Sequence, residues 1–346
     1  MNLYQPEGWL DAGAIRSSSL PFTWIWGGRG IGKTYGFLKS VRYDDPAPFL
    51  LLRRTQAMID LMSNYQFSPF RAIDRDVGQL TAVQPINKYI TGFYIGKEDD
   101  SGKVIPEGSP IGYACALSTI HNIRGFWSYA DFIIYDEFIP ERHERPIKDE
   151  YTAFLNAYET INRNRELSGL DPVHCIALTN ANTLSNPYFI GMGILGIVDR
   201  MLSTGREIYT LQDRGIMLIN ITRSPISEKK GKTALYSMVG DGDFSRMALD
   251  NEFSGESRSR PRRVPLAECS PLVIIGELCI YKRKTGGYYV CRHRSGSPPE
   301  YGTDTADLAR FSARYFYVWD SYFMSKIAFI DYESEVLFRK YFGANY

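Results

Sequence analysis

Short apolar runs bounded by polar or glycine-rich stretches recur through the first two thirds of the chain. Phe22-Thr23-Trp24-Ile25-Trp26, Pro48-Phe49-Leu50-Leu51-Leu52, Phe132-Ile133-Ile134-Tyr135 and residues 173–178 each read as a strand buried on both faces. Between them lie helical patterns. Tyr35-Gly36-Phe37-Leu38-Lys39-Ser40-Val41 can open a helix, residues 55–70 read as mixed helix, and residues 151–165 put Phe154, Leu155, Tyr158 and Ile161 on one side of an amphipathic helix. Residues 88–97 and 111–117 are strand-like and flank an acidic glycine turn at Asp99-Asp100-Ser101-Gly102, and residues 118–125 read as a polar loop. Strands alternating with helices through about residue 200 predict a mostly parallel α/β sheet. Residues 207–221 read as a passage between domains. Residues 272–284 and 287–292 read as a β-hairpin around Thr285-Gly286-Gly287 that opens an α+β region. The expected division is a domain over 1–205, a connecting region over 206–255 and a smaller C-terminal domain over 256–346.

The first strand runs directly into Gly27-Gly28-Arg29-Gly30-Ile31-Gly32-Lys33-Thr34, which matches G-x-x-x-x-G-K-[ST] at every fixed position. Glycines permit the positive-φ turn that curls backbone N–H groups around phosphate oxygens, and the following helix N-terminus adds partial positive charge. In this pattern Lys33 reaches the β- and γ-phosphates of a nucleotide and the Thr34 hydroxyl ligates Mg²⁺. The acidic partner is the third strand, which closes on Asp136-Glu137. Its C-terminal end is where ligands bind in open α/β sheets, so Asp136 is expected to hold Mg²⁺ and Glu137 to polarise an attacking water. An adjacent Asp-Glu pair points to hydrolysis, and the absence of an N-K-x-D base-reading motif favours ATP over GTP.

Composition narrows the setting. The 346 residues are 44% hydrophobic, and no segment approaches the ~20 apolar residues of a membrane span. No basic-then-apolar export signal opens the chain. Cys115, Cys175, Cys269, Cys279 and Cys291 lack CxxC spacing and read as reduced, mostly buried thiols, and the four histidines do not cluster with them as a zinc site would require.

Net charge is only +1, but its distribution is uneven. Arg258, Arg260, Arg262, Arg263, Lys282, Arg283, Lys284, Arg292 and Arg294 face only Glu268 and Glu277 in that stretch, the sign and density of a phosphate-backbone contact surface. Asn180, at the end of the strand after the acidic one, is placed to touch the attacking water or the γ-phosphate. Arg163 and Arg165 close the helix after the acidic strand, where a guanidinium can cross a subunit boundary as an arginine finger does. Arg124, just before the acidic strand, is a comparable candidate, and Arg29 could supply the same charge from within its own chain.

G-G-R-G-I-G-K-T after an aromatic strand, F-I-I-Y-D-E-F-I-P, and A-L-T-N-A-N-T-L-S-N-P-Y-F together resemble the DNA-encapsidation ATPases of small phi29-like bacteriophages, compact relatives of the large terminase subunits. The resemblance rests on motifs in the first ~200 residues and elsewhere on length and order. It implies an additional-strand (ASCE-type) P-loop ATPase that assembles as a ring, pentameric in this family, on the portal of an empty prohead. It further implies double-stranded genomic DNA as the cargo, a phage-encoded structural RNA at the ring, and action in the infected cell's cytoplasm with no place in the mature virion. The family's trans-acting arginine matches Arg163 or Arg165 without deciding between them, and its other trans-acting basic residue matches Arg124. The large terminases end in an RNase H-like nuclease whose first strand carries a metal-binding Asp. Here Leu272-Val273-Ile274-Ile275-Gly276-Glu277-Leu278-Cys279-Ile280 offers Glu277 alone, and Asp320, Asp331, Glu333 and Glu335 form no clear cluster, which implies a degenerate nuclease fold kept for binding. A DNA helicase or pump unrelated to capsids, and a non-mechanical NTP switch, share the same loop; the first would move DNA without a prohead, and the basic C-terminal strip argues against the second.

Overall fold

The computed structural model, which describes residues 1–123, 130–140, 144, 147–180, 184, 186–221, 224–226, 233–239, 262–324 and 326–342, turns the apolar runs into neighbours in one nine-stranded sheet. Its strands are β1 (Phe22–Gly27), β2 (Phe49–Arg53), β3 (Leu80–Pro85), β4 (Ile90–Glu98), β5 (Val104–Ala116), β6 (Phe132–Asp136), β7 (His174–Asn180), β8 (Ile208–Leu211) and β9 (Ile216–Ile221). They lie in the order β3-β4-β5-β2-β6-β7-β1-β9-β8, parallel from β5 to β9 and antiparallel at both edges.

Alternation of side chains along each strand explains the layers. Ile25, Leu51, Ile134, Ile176 and Ile219 meet Phe37 and Leu38 of α2 (Lys33–Lys39), with Ile15 of α1 (Ala12–Arg16), in one buried cluster. The opposite face presents Trp24 and Tyr135 to Phe154 of α5 (Glu150–Asn162), with ring centroids 5.5 and 5.6 Å apart. Truncating a ring held this way costs about 3–5 kcal/mol, so Phe154 fixes α5 to the sheet. Two shorter helices, α3 (Gln56–Met62) and α4 (Arg71–Val77), follow β2.

Several expected elements take a different form. The mixed helix of residues 55–70 resolves into α3 and a short 3₁₀ turn, Tyr65–Phe67, while α4 and β3 carry too few apolar residues to announce themselves. The polar loop of residues 118–125 is a 3₁₀ helix over Leu117–Ile123, with Leu117, Ile120 and Ile123 buried at threefold spacing. The connecting region of 206–255 begins instead with β8 and β9, and β9 lies fully buried against β1. A strand buried along its whole length cannot serve as a linker, because its backbone needs ladder partners and both faces need cover. In chain order α6 (Pro187–Gly191) and α7 (Leu195–Thr204) precede β8, and α8 (Ala234–Val239) follows β9.

The chain divides into two units, residues 1–182 with 201–252 and residues 183–200 with 253–346. In the second, β10 (Cys269–Ile275), β11 (Leu278–Arg283), β12 (Tyr288–Cys291), β13 (Glu300–Tyr301) and β14 (Ile327–Phe329) form a sheet in the order β13-β10-β11-β12-β14. What reads as one strand over residues 272–284 is two, broken at Gly276, whose φ is +52°. The helices α9 (Thr305–Arg314), α10 (Phe316–Phe323) and α11 (Tyr332–Tyr341) bring Phe311, Val318 and Phe338 onto Val273, Ile280 and Val290. Cys115, Cys175, Cys279 and Cys291 are buried free thiols and Cys269 is half-buried.

Candidate functional site

Parallel register collects the polar strand ends. Gly27 stands opposite Asn180, Asp136 opposite Leu178, and Arg53 follows the Leu52–Tyr135 pair, so all four line the C-terminal edge of the sheet. The loop between β1 and α2 turns there through Gly30 (φ +65°) and Gly32 (φ +87°). At Gly32 the left-handed conformation favours glycine, and an added Cβ would lie 3.1 Å from the Trp9 ring. Arg29 is half-buried, and Ile31 anchors the loop in the core.

Lys33 is buried with its ammonium among oxygens: Nζ donates to Gly27 O at 3.1 Å, Gly28 O at 2.7 Å and Asn180 Oδ1 at 3.2 Å. A buried ammonium at the mouth of a glycine-rich loop is a cation suited to an incoming anion. Thr34 Oγ1 donates to Asp136 Oδ1 at 2.9 Å. A hydroxyl and a carboxylate side by side form the all-oxygen donor set that a hard cation such as Mg²⁺ takes.

Arg53 is the residue at this site that the sequence reading left without a role. Nη2 lies 2.8 Å from Asp136 Oδ2 and Nη1 2.7 Å from Glu137 Oε2, so one guanidinium bridges both carboxylates. Asp136 is buried, whereas the Glu137 side chain is 44% exposed and its backbone is left-handed at φ +58°. A non-glycine residue there holds strain of order 1–3 kcal/mol, a pattern that recurs at functional sites. The signal was available: two arginines close an all-apolar strand that pairs with the acidic one. The second, Arg54, is fully buried and grips Glu150 through Nε–Oε1 at 2.7 Å and Nη2–Oε2 at 3.1 Å, with Glu144 at 2.9 Å. It ties the end of β2 to the start of α5.

The other arginines lie elsewhere. From Glu150, beside Arg54, α5 runs back for 13 residues, about 20 Å. Arg163 and Arg165 are therefore at the strand-start end of the sheet, away from Lys33. Arg165 donates to Asp171 O at 2.9 Å, Ala130 O at 3.2 Å and Asp131 Oδ1 at 2.8 Å. Arg163 is exposed and caps α5 in the left-handed conformation at φ +43°, followed by Asn164 at +58°. Arg124, Arg258 and Arg260 lie outside the described residues.

In the second unit the acids are dispersed. Glu277 is exposed, Asp331 caps α11, Glu333 pairs with Arg292 at 2.8 Å, and Glu335 is buried beneath the Tyr322 hydroxyl. Among the described residues no group of three or more His, Cys, Asp or Glu side chains is placed to hold a metal ion. Of the basic strip, Arg292 and Arg294 pair with Glu333 and Glu300, while Lys282 and Lys284 are exposed. No helix among the described residues is long and apolar enough to cross a membrane.

The family model described as Podovirus DNA encapsidation protein (Gp16) matches residues 11–263, well over half of the chain. The chain is 27% identical over 263 residues to the DNA packaging protein of Bacillus phage phi29, covering 74% of this chain and 67% of that protein. It is 27% identical over 262 residues to the DNA packaging protein of Bacillus phage PZA, covering 73% and 67%. Its fold is similar to that of the Phi-28 gp11 DNA packaging motor, with a TM-score of 0.57 at 18% identity over 98% of each chain.

Proposed function

Because the chain belongs to the Podovirus DNA encapsidation protein (Gp16) family, we propose that it is the ATP-hydrolysing subunit of a motor that moves double-stranded phage DNA into a prohead. The observation that carries this reading is the convergence of Lys33, Thr34, Asp136 and Asn180 at one sheet edge, where parallel register aligns the ends of β1, β6 and β7 and α2 starts from the loop after β1. The backbone from Gly27 to Gly32 and the Lys33 ammonium receive the β- and γ-phosphates. Thr34 and Asp136 would hold Mg²⁺, which when bound neutralises phosphate charge. Glu137 orients and polarises the attacking water, and Arg53 sets when its carboxylate is available, since the two are paired at 2.7 Å. Asn180, already bonded to Lys33, connects the γ-phosphate position to β7.

The transition-state cation comes from a second copy of the chain. The position of Arg163 supports this: it is exposed, conformationally strained and remote from its own Lys33. Leu167 at 85% and Leu170 at 57% exposure extend an apolar surface beside it, as an interface between copies requires. Arg165, held by three hydrogen bonds, is the brace for that corner. The subunits form a ring, pentameric by the family resemblance, on the prohead portal in the infected cell's cytoplasm. The second unit, a degenerate nuclease-like fold, binds nucleic acid (the DNA or a structural RNA) through exposed cations such as Lys282 and Lys284, and does not cut it.

Hydrolysis assays with and without duplex DNA and cognate proheads test the reading. Stimulation by DNA together with proheads is the expected result. Strand unwinding without proheads would make the protein a helicase, and slow hydrolysis indifferent to both would make it a switch.

A further inference from the structure

We propose that Thr179 is a positioning residue for hydrolysis: its hydroxyl holds the chain that leaves Glu137 and so sets the direction of the Glu137 carboxylate. The inference rests on the reading of Glu137 as the residue that polarises water, and it names what keeps that residue in its strained conformation.

Thr179 stands next to Asn180 at the end of β7 and is 2% exposed. Its Oγ1 accepts from Ile139 N at 3.3 Å and donates to Asn180 O at 3.1 Å. On the neighbouring strand, β6 ends at Asp136 opposite Leu178, and Glu137 then turns the chain with a left-handed φ of +58°. Phe138 N still reaches the backbone of β7, donating to Leu178 O at 3.3 Å. The next N–H, that of Ile139, is received by a side chain, the Thr179 hydroxyl. Phe138 and Ile139 are both buried, where solvent does not replace a lost partner.

A non-glycine residue with positive φ persists only where its surroundings over-determine it. Phe138 supplies one fixed point, with its ring edge-on to Trp24 at a centroid distance of 4.9 Å. A single anchored residue leaves the chain free to pivot about it. The Ile139–Thr179 bond is the second point, and two points fix the direction in which the chain leaves Glu137. The same hydroxyl faces the phosphate side of the site. Asn180, whose backbone oxygen accepts from Thr179, also accepts through Oδ1 from Lys33 Nζ at 3.2 Å. Thr179 therefore joins the exit of Glu137 to the strand end that touches Lys33. A methyl group of the same shape could do neither job, since it neither accepts nor donates.

Steady-state ATP hydrolysis and titration of a fluorescent ATP analogue, both on the full-length protein, test this. Thr179→Val keeps the shape and removes the oxygen, and is expected to lower kcat roughly tenfold with analogue affinity within about twofold of wild type. Thr179→Ser keeps the hydroxyl and is expected to restore most of kcat, which a mere loss of packing would not do. In a Glu137→Gln background Thr179→Val is expected to have no further effect, because the carboxylate that it positions is already gone. Thr179→Ala serves the same comparisons if Thr179→Val does not fold. Wild-type kcat for Thr179→Val, equal losses for the valine and serine variants, or a further loss on top of Glu137→Gln would each overturn the positioning role and leave the reading of Glu137 intact. Wild-type turnover by Glu137→Gln would instead remove Glu137 from the reaction, and this inference with it.

Discussion

Arg53 donates to Glu137 Oε2 at 2.7 Å across 84 residues of sequence, while its other terminal nitrogen lies 2.8 Å from Asp136 Oδ2. The residue that would activate water is thus tied to the neighbouring strand. Arg53→Ala is expected to lower kcat by roughly one to two orders of magnitude with little change in KM, since Glu137 loses its positioning partner and Asp136 a charge-assisted bond. Arg53→Lys is expected to rescue only in part, because an ammonium cannot span both carboxylates as a planar fork does. Steady-state ATP hydrolysis checks both, and wild-type kinetics for Arg53→Lys would contradict the bridging role.

Lys33→Ala removes the buried cation aimed at phosphate and is expected to abolish nucleotide binding. Asn180→Ala is expected to spare binding and slow turnover severalfold, because it removes one neutral acceptor from Lys33 worth about 1–3 kcal/mol. Titration of a fluorescent ATP analogue separates the two outcomes, and equal loss of affinity in both variants would contradict them.

Arg163 and Arg165 are expected to fail differently. Arg163→Ala protomers mixed with Glu137→Gln protomers should regain partial hydrolysis, because some intact arginines then face intact sites. Arg165→Ala should mainly lower the melting temperature, since it removes three hydrogen bonds that tie the chain after α5 to Ala130, Asp131 and Asp171. If mixing restores nothing while sedimentation shows assembly, the transition-state cation belongs to the same chain and Arg29 becomes the candidate.

Much of this architecture is legible in the sequence, and the reason is local chemistry. The phosphate loop and the Asp136-Glu137 strand end are signalled by residues adjacent in the chain, and their C-terminal position on the sheet follows from parallel order. Arg53 was legible only as a charged end to an apolar strand, because its role depends on which strand β2 pairs with, and register is a tertiary fact. The same blindness made β8 and β9 read as a connection, since nothing within residues 207–221 reveals that β9 pairs with β1. The short α4 (Arg71–Val77) is held by Ile73 and by Asp74, whose carboxylate accepts from Thr81 N at 2.8 Å and Tyr43 OH at 2.7 Å, contacts that no periodicity encodes.

Glu335 gives the second unit a pH signature. Burial pushes its carboxyl pKa above the ordinary carboxylate value, offset in part by the Tyr322 hydroxyl and by Arg339. A raised folded-state pKa contributes stability that is full below the ordinary carboxylate range and is lost as pH rises through the raised value. Glu335→Gln keeps an acceptor for Tyr322 and mimics the protonated form. It is therefore expected to raise the melting temperature at neutral pH and to leave it unchanged under acid conditions. Thermal melts across pH check this, and a variant destabilised at neutral pH would contradict it.

If ATP hydrolysis at the Lys33–Glu137 site drives DNA into a prohead, the DNA becomes inaccessible to nuclease. Wild-type protein with proheads, duplex DNA and ATP is expected to yield nuclease-resistant DNA. Glu137→Gln is expected to bind ATP while turnover and protected DNA fall together by two or more orders of magnitude. Protection by Glu137→Gln at the wild-type level, or wild-type hydrolysis that never yields protected DNA, would contradict the account.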